Sequence, residues 1–158
     1  MNSLINQDQI IQKTLSSAKN IAMIGVSSIK KENKSNLIRK PSIIVMNYLK
    51  EFGYKVVPVN PFSLGKKIND ENVIAKLEDI KIPIDIVNVF RPSSEAISIA
   101  EQTIKIGAKT LWLQYGIQND KAKEMVEAKN ITYIANKCIK QEYQRLFLKV
   151  NPVFPVLK

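Results

Sequence analysis

Residues 21–27 read Ile21-Ala-Met-Ile-Gly-Val-Ser27, an apolar run that ends in a glycine and a small hydroxyl residue. A parallel sheet can present its carboxyl edge to a phosphate in this way, because Gly25 lets the phosphate approach the backbone while Ser27 and the loop amides donate hydrogen bonds. Only one glycine of the dinucleotide fingerprint G-x-G-x-x-G is present. Taken alone, the stretch fits a buried strand followed by an ordinary turn equally well.

Strand-like and helix-like segments alternate along the whole chain, which predicts crossover connections and a parallel sheet. The pattern predicts strands at residues 21–24, 55–59, 84–90, 110–113 and 131–135, with a short edge strand at 67–68. It predicts helices at residues 7–18, 41–52, 73–77, 93–107, 120–129 and 139–148. Ser93 is expected to cap the helix that ends near Gly107. The sequence thus predicts a doubly wound α/β fold, with a mainly parallel sheet of about five to six strands and helices on both faces.

The ligand crevice of a doubly wound sheet lies at the carboxyl ends of its strands, where the strand order reverses. Three predicted loops reach that place. They follow the first strand at residues 25–28, the second strand at residues 60–66 and the central strand at residues 90–93. These loops are where we expect the functional residues.

The composition limits the possible functions. With 158 residues and 45% hydrophobic residues, the chain is expected to form a single domain, residues 1–158, that can bury a real core. Within it, residues 1–19 are expected to form an N-terminal helix and residues 149–158 a C-terminal tail. The chain has no histidine, which excludes Ser-His and Cys-His nucleophilic sites, and its one cysteine, Cys138, fits a reducing compartment. We expect a cytoplasmic protein with no membrane partner, because no apolar run is long enough to span a bilayer.

The net charge of +10 favours anionic partners, but the kind of cation matters. Almost all of the 24 basic residues are lysines, and only Arg39, Arg91 and Arg145 offer the bidentate fork that reads bases or clamps phosphates. A nucleic-acid partner is therefore not expected. A second strand that ended in an acid would favour a nicotinamide cofactor, but this one ends in Val59-Asn60-Pro61.

Basic residues near the predicted edge suggest instead a ribose that carries a phosphate; they are Arg39, Lys40, Lys66 and Lys67. A long lysine-bearing loop also separates Gly25 from the helix that starts at Pro41. Such a loop suits a ligand with several phosphates and a long neutral arm. Coenzyme A (CoA) has these parts, because it carries a 3′-phosphate, a pyrophosphate and a pantetheine chain.

Six segments, in this order, resemble the small stand-alone CoA-binding proteins. They are Ile-Gly-Val-Ser (24–27), Lys-Pro-Ser (40–42), Gly-Tyr-Lys-Val-Val-Pro-Val-Asn-Pro (53–61), Asp-Ile-Val-Asn-Val-Phe-Arg (85–91), Leu-Trp-Leu-Gln-Tyr-Gly-Ile (111–117) and Asn-Lys-Cys-Ile (136–139). The resemblance covers roughly residues 10–148. It implies a Rossmann-like fold similar to the N-terminal domain of the succinyl-CoA synthetase α subunit, with CoA or an acyl-CoA as the ligand. Ligase activity is not implied, because that chemistry needs a phosphorylated histidine.

The resemblance also implies roles for individual residues. Pyrophosphate contacts fall on Gly25, Val26 and Ser27. The phosphoadenosine end would lie near Lys40, Asn60, Lys66 and the adjoining Pro61, and the crevice would be walled by Phe90, Arg91 and Pro92. No catalytic or metal-ligating residue is implied.

Several alternatives remain open at this stage. Arg91 fits either a ligand contact or a structural surface arginine, Gln114 either faces the crevice or only ends a strand, and Cys138 either reacts with the CoA thiol or is a small buried hydrophobe. The whole chain fits a CoA-binding module without chemistry of its own. It also fits an NADP- or other nucleotide-dependent enzyme, or a regulatory protein whose ligand is secondary.

Overall fold

The computed structural model describes residues 3–26, 41–63, 65, 67–68 and 70–149. In chain order its strands are β1 (Asn20–Ile24), β2 (Lys55–Val59), β3 (Lys67–Ile68), β4 (Glu71–Asn72), β5 (Ile86–Val89), β6 (Thr110–Leu113) and β7 (Thr132–Ile134). Its α-helices are α1 (Ser3–Ser17), α2 (Pro41–Glu51), α3 (Ala96–Ile106), α4 (Asp120–Glu127) and α5 (Ile139–Tyr143). The last helix continues as a π-helix over Gln144–Leu148.

Five strands form one parallel sheet in the order β2-β1-β5-β6-β7. The chain runs from β1 outward to β2 and then crosses back to β5, so the strand order reverses between β1 and β5. Ile24, at the end of β1, is paired with Val59 on one side and with Val89 on the other. The loops that follow β1, β2 and β5 therefore leave the sheet side by side, as the Rossmann-like prediction requires.

Helices cover both faces of the sheet, and each face has its own core. On one face Ile11, Leu15, Met46 and Ile139 pack against alternate strand residues such as Trp112. On the other face α3 and α4 pack over the remaining strand residues, with Ile99 and Val126 among the buried contacts. Burial on both faces explains why the central strands are mostly apolar rather than alternating between apolar and polar residues.

The predicted edge strand exists, but it pairs elsewhere. β3 and β4 form a separate two-stranded antiparallel sheet, in which Lys67 lies opposite Asn72. The helix predicted at residues 73–77 is wrong. Ile74 forms a parallel bridge with Val59, because the outer edge of β2 has backbone groups that this extended segment satisfies. A 3₁₀ turn follows at Leu77–Asp79.

The start of α3 also differs from the prediction. A 3₁₀ turn at Ser93–Glu95 precedes the helix, and the Ser93 side chain does not cap it. The Ser93 hydroxyl instead accepts a hydrogen bond of 3.1 Å from the backbone N–H of Gln118. Ser93 thus joins the loop after β5 to the loop after β6. At the other end, the helix ends as predicted at Gly107, whose φ of 71° is a left-handed C-cap.

Besides the apolar packing of Ile11 and Leu15, polar contacts among the described residues join the N-terminal helix to the rest of the fold. The Tyr54 hydroxyl donates a buried hydrogen bond to the Leu15 carbonyl oxygen. The Arg145 guanidinium lies 2.8 Å from a carboxylate oxygen of Asp8 and 2.8 Å from one of Glu142. None of the helices in the described part of the chain is long and apolar enough to cross a membrane.

Candidate ligand-binding site

A cleft of about 550 Å³ opens beside the ends of β1 and β2 and the loop after β5. Its apolar floor consists of Ile24, Val59, Ala75 and Ile99. Its rim is polar and comes from three places: the loops at the strand ends, the segment before and within the 3₁₀ turn at Leu77–Asp79, and the outer face of α3. The cleft lies at the reversal of strand order, which is where sequence reasoning placed the ligand crevice.

Gly25 is the point where the β1 and β5 loops meet. Its φ is +97°, and a Cβ atom placed on it would lie 3.1 Å from Arg91 Cδ and 3.3 Å from Phe90 Cβ. Only glycine therefore fits without strain or displacement of its neighbours. The Gly25 N–H donates to the Val59 carbonyl oxygen at 3.1 Å. The absence of a side chain at Gly25 leaves room where the two loops meet. The Gly25 N–H itself is bonded to Val59 and is not available to a ligand.

Asn60 connects the loops that follow β1 and β2. Its Nδ2 donates to the Val26 carbonyl oxygen at 2.9 Å, and its Oδ1 accepts from the Phe62 N–H at 2.9 Å. The second bond is a local turn that asparagine favours. Val26 itself is fully buried. The structure thus brings Asn60 to the cleft and uses its side chain to hold both loops in place.

Arg91 lies on the cleft wall and forms an ion pair with Glu95, one helical turn later. Its Nη2 is 2.6 Å from Glu95 Oε2, and its Nε is 3.1 Å and 3.2 Å from the two carboxylate oxygens. Each side chain is 43% exposed. The hydrogen bonds with Glu95 raise the pKa of Arg91, and the same bonds lower the pKa of Glu95. The Nη1 edge of the guanidinium has no partner among the described residues and is available to an anion.

The structure separates the other predicted site residues. Pro61 lines the cleft, whereas Phe90 packs against the core on the opposite face of the sheet. Pro92 is exposed and does not line the cleft. Ser27, Lys40 and Lys66 lie outside the described residues, so their roles stay predictions.

Sequence reasoning missed the far rim of the cleft. Lys105 on α3 forms an ion pair of 2.7 Å with Glu78 of the 3₁₀ turn, and the bond lowers the pKa of Glu78. The other missed rim residues are Phe62, Lys76, Ser98, Glu101 and Gln102. The buried face of α3 is Ala96, Ile99, Ala100 and Thr103, so its polar positions resemble an ordinary solvated face. Only the tertiary arrangement shows that this face borders a cleft.

Phe62 is the second signal that sequence reasoning missed. It is 88% exposed at the mouth of the cleft, directly after Asn60-Pro61. An aromatic residue held in a loop beside a cleft offers a surface for stacking. Its position after a strand-ending Asn-Pro was the available clue.

The geometry decides the alternative for Gln114, while a reaction of Cys138 with the CoA thiol stays a prediction. Gln114 is buried, and its Oε1 accepts hydrogen bonds from the Ile139 N–H at 2.9 Å and from Asn88 Nδ2 at 3.0 Å. Its side chain therefore holds β5, β6 and the start of α5 together. Cys138 is partly buried and packs against the core near α5. Among the described residues there is no group of His, Cys, Asp and Glu that could hold a metal ion.

Comparison with known proteins agrees with this geometry. The model of a family described as a CoA binding domain matches residues 19–144. YneT of Bacillus subtilis is 34% identical over 133 residues, which cover 82% of this chain and 89% of that protein. A solved structure from Thermus thermophilus has a TM-score of 0.79 at 34% identity and covers 93% of this chain and 100% of that one.

A hypothetical protein from Pyrococcus horikoshii OT3 has a TM-score of 0.76 at 32% identity and covers 88% of this chain and 91% of that one. A Rex-family repressor is similar at 20% identity with a TM-score of 0.52, which is a likeness of fold alone. The family match and these relatives agree with the resemblance found in the sequence, and the chain belongs to the CoA-binding domain family.

Proposed function

We propose that this protein binds coenzyme A or an acyl-CoA at the carboxyl edge of its parallel sheet and performs no reaction of its own. The observation that carries the proposal is the cleft at the strand reversal in a chain of the CoA-binding domain family. A reducing, cytoplasmic location is part of the proposal and fits a ligand with a free thiol.

The phosphates and the nucleoside have different places in this proposal. The pyrophosphate lies over the backbone at Gly25 and Val26 and meets the open edge of Arg91. Ser27 would add a hydroxyl donor there. The nucleoside end enters the apolar cleft between the Asn60 loop and α3, and Lys40 and Lys66 would contact the 3′-phosphate. The pantetheine arm leaves the cleft toward solvent.

The electrostatics of the cleft support this division. Three acidic residues, Glu78, Glu95 and Glu101, face the cleft together with three basic residues, Lys76, Arg91 and Lys105. The cleft is thus balanced in charge, although the whole chain carries +10. A neutral base suits such a cleft better than a polyphosphate does, and this supports our proposal that the phosphates lie at its Gly25 end.

A thermal-shift experiment tests the proposal. CoA, acetyl-CoA, NAD and NADP are compared at equal concentrations with the wild-type protein. A ligand at a hundredfold excess over its Kd stabilises the folded state by about 2.7 kcal/mol, which raises the Tm of a domain of this size by about 5–10 °C. We expect the largest shift with CoA or acetyl-CoA. An equal or larger shift with NAD or NADP would overturn the CoA assignment and favour a dinucleotide enzyme.

A further inference from the structure

Within the cleft, the polar face of α3 carries hydrogen-bonding groups that can pair with the edge of a nucleobase. Ser98 and Gln102 lie four residues apart on that face, and both line the cleft beside the apolar Ile99. A flat aromatic ring can pack on the apolar floor of the cleft, and the polar groups of α3 then lie at the edge of that ring. The ion-paired residues of the rim, Glu95 and Glu78, already have partners.

Gln102 differs from its neighbours because its amide is only weakly engaged. Its Nε2 makes contacts of 3.4 Å with the carbonyl oxygen and the hydroxyl of Ser98, at the long limit of hydrogen bonding. The side chain has intermediate exposure and lines the cleft. Such an amide can exchange these contacts for better ones when a ligand arrives.

We propose that Gln102 recognises the adenine ring of the bound nucleotide and is a specificity-determining residue of the site. This inference rests on the proposed function. A glutamine amide carries one acceptor and one donor group side by side, which matches the 6-amino group and an adjacent ring nitrogen of adenine. Glu101 and the other carboxylates can only accept, so they match the amino group but not the ring nitrogen.

A thermodynamic cycle tests the inference by comparing binding affinities after one change in the protein and one change in the ligand. The ligands are CoA and 1,N6-etheno-CoA, whose extra ring removes the 6-amino donor but leaves the phosphates and the pantetheine unchanged. Affinities are measured by isothermal titration with the wild type and with Gln102→Ala. We expect Gln102→Ala to weaken CoA binding about 5- to 150-fold, the range found for a bidentate amide–adenine pair. The loss of affinity for etheno-CoA should be clearly smaller, because etheno-CoA lacks the 6-amino group whose hydrogen the Gln102 amide oxygen would accept.

Two further variants complete the design. Gln102→Glu keeps the length of the side chain but removes the donor, so it should also weaken CoA binding relative to the wild type. Gln9→Ala changes an exposed glutamine on α1, on the opposite face of the sheet, and serves as the control that should change neither affinity. Melting curves of all variants show whether they are folded.

The outcomes are distinct. If Gln102→Ala loses equal affinity for CoA and etheno-CoA, or loses none for either, the proposed role of Gln102 is wrong. The proposed CoA-binding function is unaffected by that result. If the wild type binds neither ligand, the proposed function fails, and the inference fails with it.

Discussion

Arg91 and Glu95 are joined through one edge of the guanidinium, with Nη2 2.6 Å from Oε2 and Nε within 3.2 Å of both carboxylate oxygens. A guanidinium has two edges that can bind an anion in a bidentate way. Glu95 occupies the Nε edge and thereby fixes the orientation of the group. The Nη1 atom has no partner among the described residues, and the Arg91 side chain lines the cleft next to the Gly25 turn, where we propose that the pyrophosphate binds.

Replacement of Arg91 by alanine removes that open edge. A charge-assisted hydrogen bond to a phosphate contributes about 1.5–3 kcal/mol, so the affinity for CoA should fall about 10- to 150-fold. The Tm without ligand should hardly change, because the Arg91–Glu95 pair is on the surface and such pairs contribute little to folding. Isothermal titration and a melting curve of Arg91→Ala measure both quantities.

Arg145→Ala is the matched control for that experiment. Arg145 holds α1 to α5 through Asp8 and Glu142, far from the cleft loops. Because Arg145 pairs with two carboxylates and one of them lies on α1, this variant should lose more stability than Arg91→Ala does and, once folded, should bind CoA normally. Unchanged CoA affinity in Arg91→Ala would remove Arg91 from the site.

Gly25→Ala should destabilise the protein more than Gly53→Ala does. Both glycines have φ near +97° to +99°, so both substitutions carry the same left-handed penalty of about 1–2 kcal/mol. Only the new Cβ at position 25 meets neighbours, because nothing lies within 4 Å of the Cβ position at Gly53. Urea unfolding of the two variants measures the difference. We also expect Gly25→Ala, but not Gly53→Ala, to bind CoA more weakly than the wild type. If the two variants have equal stability and equal CoA affinity, the close approach of Arg91 and Phe90 to Gly25 has no role.

Tyr54 makes stability depend on pH in the alkaline range. Burial, with the nearby Tyr143 as a smaller cause, raises the pKa of Tyr54 from 10.0 to about 12. A pKa raised in the folded state contributes stability that is complete below pH 10 and is lost as the pH rises to about 12. The unfolded chain ionises first in that range, which draws the equilibrium toward unfolding.

Tyr54→Phe removes both the ionisation and the hydrogen bond to Leu15. At pH 7 the variant should be less stable by about 0.5–1.5 kcal/mol. Urea unfolding at several pH values should show this difference shrinking between pH 10 and about 12. Tyr115→Phe, at a side chain that is 76% exposed, is the control and should follow the wild type. A difference that stays constant with pH would contradict the account of Tyr54.

Dephospho-CoA should bind less tightly than CoA and with a weaker dependence on salt. The prediction rests on the expected contacts of Lys40 and Lys66 with the 3′-phosphate, which are charge pairs that salt screens over about 8 Å at physiological ionic strength. Titrations of both ligands between low and high salt measure the two slopes. Equal affinities and equal slopes would show that these lysines do not recognise the 3′-phosphate.

The fold could be predicted from the sequence because its signals are local. Buried parallel strands such as β1 and β5 are short, mostly apolar segments, and Gly107 ends α3 with a backbone conformation that glycine favours. The prediction of a helix after β4 is wrong because the apolar residues of that segment fit a helix and an edge bridge equally well. What decides between them is the unsatisfied edge of β2, which is a tertiary feature.

The site was predictable at the strand ends and not beyond them. Gly25, Asn60 and Arg91 directly follow strands that topology brings together, so their shared location follows from the order of the elements. The partner of Arg91 and the polar face of α3 could not be read in the same way. A sequence shows which face of a helix is polar but not what that face borders, so neither the Arg91–Glu95 ion pair nor the position of Gln102 at the cleft follows from the pattern.

The most direct test of the account is amide chemical-shift mapping of the ¹⁵N-labelled protein during titration with CoA. It reports in one experiment whether CoA binds and where. We predict saturable shifts clustered at Gly25, Asn60, Arg91 and Gln102, with the exposed amides of α1 and α4 unchanged. The absence of saturable shifts, or shifts clustered on the α1 and α5 face of the sheet, would contradict the assignment of the cleft as the CoA-binding site.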